Sequence, residues 1–192
     1  SKPPGLTLYP TEECNLRCRH CAVVEGPAPR PAMSAEHIRE LIREHTTRFR
    51  NPTVSFMGGE PLLCPDAFYL LEFACGRTSS VSLSTNGLLI DEAMAGRLGS
   101  LPVAIQISLD GPDPETHDFI RGKGTFQKAW DAVERLCRLG QPSRLSLAVA
   151  LSRCGLPHVR RMIDMAAGRG LGSIRFLPLN RVRAARTHWD RI

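Results

Sequence analysis

Three cysteines fall within eight residues, Cys14, Cys18 and Cys21, in the run Cys-Asn-Leu-Arg-Cys-Arg-His-Cys. Thiolates are ligands for zinc and for iron–sulfur clusters, and a closed site of either kind usually takes four protein ligands. Three thiolates leave one position for something else. Two chemistries are open at this point. The thiolates can hold three irons of a [4Fe–4S] cube, leaving the fourth iron to bind a ligand through amine and carboxylate groups, or they can hold a zinc that some other group completes.

Further along lie three more segments rich in glycine and polar residues: Gly58-Gly59-Glu60-Pro61, Thr85-Asn86-Gly87 and Ser108-Leu109-Asp110-Gly111. Each alone is an ordinary turn, because Gly, Pro, Asn and Asp are the standard turn residues. As a group they offer more. Adjacent glycines let backbone groups approach an ammonium, while Ser108, Asp110 and Asn86 supply a hydroxyl, a carboxylate and an amide suited to a ribose or an amino acid. Arg121 adds a planar fork for a carboxylate. Together these groups describe a site for an amino-acid nucleoside beside iron.

Such a site needs a scaffold that brings the four segments to one place. From Leu6 onward short aliphatic or β-branched runs alternate with longer stretches of helical period, the pattern of repeated β–α units and a parallel sheet. The expected strands are Leu6–Tyr9, Val54–Met57, Val81–Ser84, Val103–Leu109, Leu145–Leu151 and Ile174–Leu177. Ser34 is positioned to cap a helix burying Ile38, Leu41, Ile42 and Phe49, and Thr125 one burying Phe126, Ala129, Trp130, Val133 and Leu136. Pro157 suits the first turn of a helix carrying Val159, Met162, Ile163 and Ala166, and Asp66 and Asp91 are weaker caps for two shorter helices. Val24–Met33, with Pro27, Pro29 and Pro31, reads as an extended loop. In parallel α/β sheets, sites form at the carboxyl ends of the strands. The four unusual segments follow the first four strands directly, which puts them on one rim and turns four plain turns into one candidate site.

Composition sets the boundaries. A chain of 192 residues with 42% hydrophobic and 23% charged content is long enough for one sizeable core. The formal charge of +6 reads first as a solvated basic surface. No apolar run approaches the roughly 20 residues that span a bilayer, and Ser-Lys-Pro-Pro-Gly lacks the apolar stretch of a signal peptide. A cytoplasmic protein with no membrane partner is expected. Seven cysteines then fit free thiols and metal ligands better than a disulfide framework.

The spacing Cys-x-x-x-Cys-x-x-Cys followed by Gly-Gly-Glu-Pro resembles the radical S-adenosylmethionine (SAM) superfamily. The strings Phe-Met-Gly-Gly-Glu-Pro-Leu, Leu-Ser-Thr-Asn-Gly-Leu-Leu-Ile-Asp and Ile-Ser-Leu-Asp-Gly-Pro are similar to its peptide-modifying branch, which includes sulfatase-maturing enzymes and peptide maturases. The resemblance runs from about Leu6 to about Leu179. It implies a partial (β/α)6 barrel with a parallel sheet and a single core domain over residues 1–192; the end after the sixth strand reads either as a truncation, with residues 180–192 the start of an incomplete C-terminal extension, or as a minimal protein. It also implies that Cys14, Cys18 and Cys21 bind a [4Fe–4S] cluster, which reduces SAM to methionine and a 5′-deoxyadenosyl radical that abstracts hydrogen from a peptide or protein side chain. Gly58, Gly59 and Glu60, with Pro61, match the segment that meets the methionine amino group. Thr85, Asn86, Asp110, Ser108 and Arg121 are carried over as SAM contacts, and His20 as a packing neighbour of the adenine. The electron would come from an external donor of flavodoxin or ferredoxin type.

Members of that branch normally carry a cysteine-rich C-terminal domain, and peptide maturases often an N-terminal leader-binding domain; neither is expected within residues 1–192. Cys64, Cys75, Cys137 and Cys154 are therefore read as small buried hydrophobes, Cys64 alone lying near the active rim. His117 and Lys123 read as exposed residues of the loop after the fourth strand. Two other functions stay on the table: a zinc or nucleic-acid-binding module with His20 completing Cys3His coordination, and a cluster-bearing scaffold without activity. The zinc module leaves Gly-Gly-Glu-Pro without a purpose.

Overall fold

The computed structural model describes residues 5–23 and 33–192. Six strands form one sheet: β1 Gly5–Leu8, β2 Thr53–Phe56, β3 Ser80–Thr85, β4 Val103–Ser108, β5 Leu145–Leu151 and β6 Ser173–Pro178. All neighbours are parallel and follow chain order from β1 to β6, and the sheet curls into a half-barrel. Each strand lies within one residue of its expected ends. Seven helices make the crossovers and the end of the chain: α1 Ala35–Arg48, α2 Ala67–Cys75, α3 Glu92–Gly99, α4 Pro114–Arg121, α5 Thr125–Arg138, α6 Val159–Gly168 and α7 Ala184–His188.

The two faces of the sheet differ because strand side chains alternate. Val54, Phe56, Val81, Leu83, Ile105 and Ile107 are buried against Ile38 and Ile42 of α1, Leu70 and Leu71 of α2, and Ala129 and Val133 of α5. Between them, Ser55, Ser82, Ser84 and Gln106 point the other way. The Ser82 hydroxyl donates to Ser55 Oγ at 2.9 Å, and the Ser84 hydroxyl donates to Gln106 Oε1 at 3.1 Å. From β2 to β4 the concave face thus carries mostly small polar side chains, which leaves room at the rim.

Several expectations change. The segment after β4 holds a helix, α4, that the sequence pattern did not reveal. Its start is an Asp113 cap, with the carboxylate accepting from Thr116 N–H at 3.0 Å, followed by a proline in the first turn. Thr125 does not cap α5. Gly124, at φ 78°, occupies that position, and the Asp118 carboxylate reaches over from α4 to accept from the N–H groups of Gly124, Thr125 and Phe126. Asp91 does cap α3, accepting from Met94 N–H at 2.7 Å, whereas Asp66 makes no side-chain cap bond. Leu41 and Ile163 are exposed, at the edge of each helix's apolar stripe, and Phe49 is only half-buried because α1 ends at Arg48 and Phe49 follows it in extended conformation. Pro157 lies in a short 3-10 turn, Leu156–His158, that leads into α6. The expected loop Val24–Met33 falls outside the described residues except for Met33.

The last residues pack back on the sheet's end. Ile120 of α4, Ala185 of α7 and Ile192 form a second small apolar cluster, joined by Leu179, Trp189 and Cys154. Cys64, Cys75, Cys137 and Cys154 are all half-buried rather than enclosed. Among the described residues no helix is long and apolar enough to cross a membrane.

Candidate active site

A cavity of about 420 Å³ opens at the carboxyl ends of the strands, a size typical of small-molecule sites. Cys14, Cys18 and Cys21 form one wall together with His20. Gly58, Gly59, Thr85 and Asn86 form a second, and Ser108 and Arg121 lie on a third. Glu60, Pro61 and Asp110 stand behind these walls. The rim logic of a parallel sheet thus brought most of the expected residues together. It did not single out Ser84, Gln106, Ala148 and Ala150 on the concave face, nor Leu177–Asn180 at the end of β6 and just past it, which also line the cavity. The signal for the first four was strand alternation, which marks a face without telling which face is hollow.

The glycine pair positions the cysteine loop. Gly59 N–H donates to Thr11 O at 3.1 Å, and Glu60 N–H donates to Glu13 O at 2.7 Å. A Cβ on Gly59 would stand 2.1 Å from Glu13 O, and one on Gly58, at φ 128°, would stand 2.8 Å from Thr11 O. Only residues without side chains let the loop that carries Cys14 lie this close to the end of β2.

Within that loop, Leu16 N–H points at Cys14 Sγ and Val23 N–H at Cys21 Sγ, each at 3.4 Å. Burial raises the Cys14 thiol above its ordinary range and pushes Cys18 up to about 11. Deprotonation here therefore calls for a compensating cation, which a metal cluster brings. Among the described residues no three His, Cys, Asp or Glu side chains meet closely enough to hold a single metal ion. His20 turns its Nε2 toward Asp110 Oδ2 at 3.7 Å and leaves its buried Nδ1 without a hydrogen-bond partner among the described residues, but it and the thiols do not stand close enough together to form a Cys3His set. A donor set of three thiols around a shared cavity wall suits a cube, which takes one iron per thiolate, better than one zinc.

Beneath the cysteines lies a buried charge pair. Arg121 Nε donates to Asp110 Oδ2 at 2.6 Å, and Ala150 N–H donates to Asp110 Oδ1 at 2.8 Å. Burial alone would raise the pKa of Asp110, which is wholly enclosed, but Arg121, His20 and these hydrogen bonds outweigh it and hold the carboxyl below its usual range. His117, expected in an exposed loop, is instead buried in α4. Its Nδ1 accepts from Asp110 N–H at 3.1 Å, which fixes the neutral tautomer with the proton on Nε2, and burial pushes its pKa down to about 4. Lys123 is exposed as expected.

Glu60 ties the second and third strand ends together. Its Oε1 accepts from the Thr85 hydroxyl at 2.7 Å and Leu62 N–H at 3.2 Å, and its Oε2 accepts from Asn86 N–H at 2.8 Å. With 1% of its surface exposed, this carboxylate braces the rim and does not face the cavity. Asn86, next in the brace, donates from Nδ2 to Asn15 Oδ1 at 2.7 Å. Cys64 is not on the cavity wall.

The model of the Radical SAM superfamily matches residues 8–163. Mycofactocin maturase MftC of Mycolicibacterium smegmatis is 32% identical over 169 residues, 88% of this chain and 43% of that protein. The AdoMet-dependent heme synthase of Oleidesulfovibrio alaskensis is 31% identical over 163 residues, 83% of this chain and 41% of that protein. Among solved structures, Streptococcus suis SuiB bound to S-adenosylmethionine superposes with a TM-score of 0.83 at 18% identity, covering 94% of this chain and 41% of that one. SuiB bound to its precursor peptide SuiA gives 0.81, again at 18% identity, with coverages of 93% and 40%. At such identities the structural likeness speaks for the fold alone. The chain spans less than half the length of these relatives.

Proposed function

The chain belongs to the radical SAM superfamily, whose members use a [4Fe–4S] cluster and SAM, and on that premise we propose that residues 1–192 are one catalytic core that modifies a peptide or protein side chain. When bound, the cluster and SAM supply reductive cleavage of the SAM carbon–sulfur bond and with it a hydrogen-abstracting radical. The protein holds and shields them. Cys14, Cys18 and Cys21 would ligate three irons. Gly58 and Gly59 bring backbone groups to the cavity wall, and Ser108 and Arg121 offer a hydroxyl and a cation to a carboxylate or ribose. Asp110 neutralises Arg121 and fixes its direction, while Glu60 and Thr85 keep the rim in place.

One observation carries the proposal: three thiols line the same cavity as a glycine pair whose missing side chains admit the cysteine loop. The peptide as substrate is supported by the maturase at 32% identity. The heme synthase at 31% identity favours a second reading, a heme-type substrate in the same cavity. We further propose a cytoplasmic location and an external donor of flavodoxin or ferredoxin type.

The test is anaerobic reconstitution with iron and sulfide, followed by a dithionite-dependent assay for 5′-deoxyadenosine. Iron-cluster absorbance with product formation is expected. Stoichiometric zinc without that absorbance would defeat the proposal. Adding peptide panels or porphyrins to the same assay separates the two substrate classes by which of them accepts hydrogen loss.

A further inference from the structure

Asn86 was expected to contact SAM, yet its hydrogen bonds aim elsewhere. Its Oδ1 accepts from Leu88 N–H at 3.0 Å, an Asx turn that settles which end of the amide is oxygen. The Nδ2 group must then face the cysteine loop, where one hydrogen goes to Asn15 Oδ1 at 2.7 Å and Cys14 Sγ stands 4.0 Å away. The backbone is pinned as well, since Asn86 N–H is held by the buried Glu60 carboxylate at 2.8 Å. With backbone and amide both committed, this nearly buried side chain has little capacity left for a ligand in the cavity.

We propose that Asn86 is an N–H···S donor to the Cys14 thiolate and raises the reduction potential of the cluster bound there. This inference rests on the cluster assignment of Cys14 made above. The charge on cluster sulfur grows when an electron arrives, so a fixed donor stabilises the reduced state more than the oxidised one. Cys14 already receives Leu16 N–H at 3.4 Å, and Asn86 adds a second donor from across the rim. Glu60 and Asn15 act as positioning residues that keep the amide from turning into the cavity. The Thr-Asn-Gly segment thereby gains a role beyond chain reversal: Gly87, at φ 82°, turns the chain while Asn86 looks back at the cysteines.

The experiment is an EPR-monitored redox titration of the reconstituted protein, with iron content and SAM affinity measured alongside. Asn86→Ala should shift the one-electron reduction equilibrium against the reduced state by up to roughly tenfold, about 59 mV, with iron content and SAM affinity retained. Asn86→Asp keeps the Asx acceptor and hence the turn, removes the donor and adds a negative charge, so it should shift the potential further in the same direction. An unchanged potential in both variants, or lost SAM affinity with no shift in potential, overturns the inference and returns Asn86 to the SAM contacts. Absence of any cluster in the unsubstituted protein would defeat the underlying assignment, and the two failures are told apart by that control.

Discussion

Replacing Gly59 by alanine should break the joint between β2 and the cysteine loop. The new Cβ would meet Glu13 O at 2.1 Å and Glu12 O at 2.6 Å, where ordinary contact begins above 3 Å, and both obstacles are backbone. The loop must therefore retreat by about an ångström, the gap between these distances and normal contact. That retreat stretches Glu60 N–H to Glu13 O and Gly59 N–H to Thr11 O. Two backbone hydrogen bonds at about 1 kcal/mol each, with overpacking strain of about 1–3 kcal/mol, give a loss of roughly 3–5 kcal/mol when summed. For a chain of this size that corresponds to a Tm lower by roughly 6–20 °C. Gly96→Ala in α3 is the control, because nothing lies within 4 Å of its Cβ and alanine favours helix, so a Tm at or above the original is expected. Differential scanning calorimetry reads both, and iron per chain after reconstitution reads the site. A Gly59→Ala protein with unaltered Tm and full iron would refute the claim that the glycine pair exists to admit the loop.

Alanine at any one of Cys14, Cys18 or Cys21 should abolish cluster absorbance and 5′-deoxyadenosine, whereas alanine at Cys64, which is off the cavity wall, should leave both intact. Asp110→Asn strands the buried Arg121 charge and should cost about 3–5 kcal/mol at neutral pH, measured by urea unfolding. Because the folded pKa of Asp110 is depressed, its stabilisation is present above the unfolded carboxyl range near 4 and is lost as pH falls through the lower folded value. Between those two values the original protein should lose stability with falling pH and the Asp110→Asn variant should lose less. Asp118→Ala removes the acceptor for three N–H groups at the start of α5 and should lower stability by about 1–2 kcal/mol without altering iron content.

The strands were legible because each is a short run of β-branched and aliphatic residues whose preference is local. The cysteine motif was legible because ligand spacing is written directly in the chain. Helix α4 was missed since Pro114-Glu-Thr-His-Asp offers little apolar period, though Asp113 followed by Pro114 and Glu115 was a start signal in plain view. The exchange of Thr125 for Asp118 as the cap of α5 depends on how α4 packs, which no local pattern records. Similarly, the glycine pair looked like room for a ligand, and only the approach of Thr11 and Glu13 reveals that the space is also taken by the protein's own backbone. Asn86 was found as a site residue, but the direction of its amide is fixed by Leu88, Asn15 and Glu60, and two of these three lie far from it in sequence.

The end of α4 is where three otherwise separate parts meet. Ile120 O receives Arg19 N–H from the cysteine loop at 2.9 Å, its side chain lies with Ala185 and Ile192, and the next residue, Arg121, is bonded to Asp110. Thermodynamic linkage makes such a junction reciprocal: whatever coupling free energy one partner's grip on Ile120 and Arg121 lends to another, the second returns to the first. Loading the cysteines should therefore slow amide exchange in α7, Ala184–His188, which lies beyond the last strand and far in sequence from the three cysteines of the motif. The catalytic rim and the terminal helix would then keep time with one another through a single turn of helix.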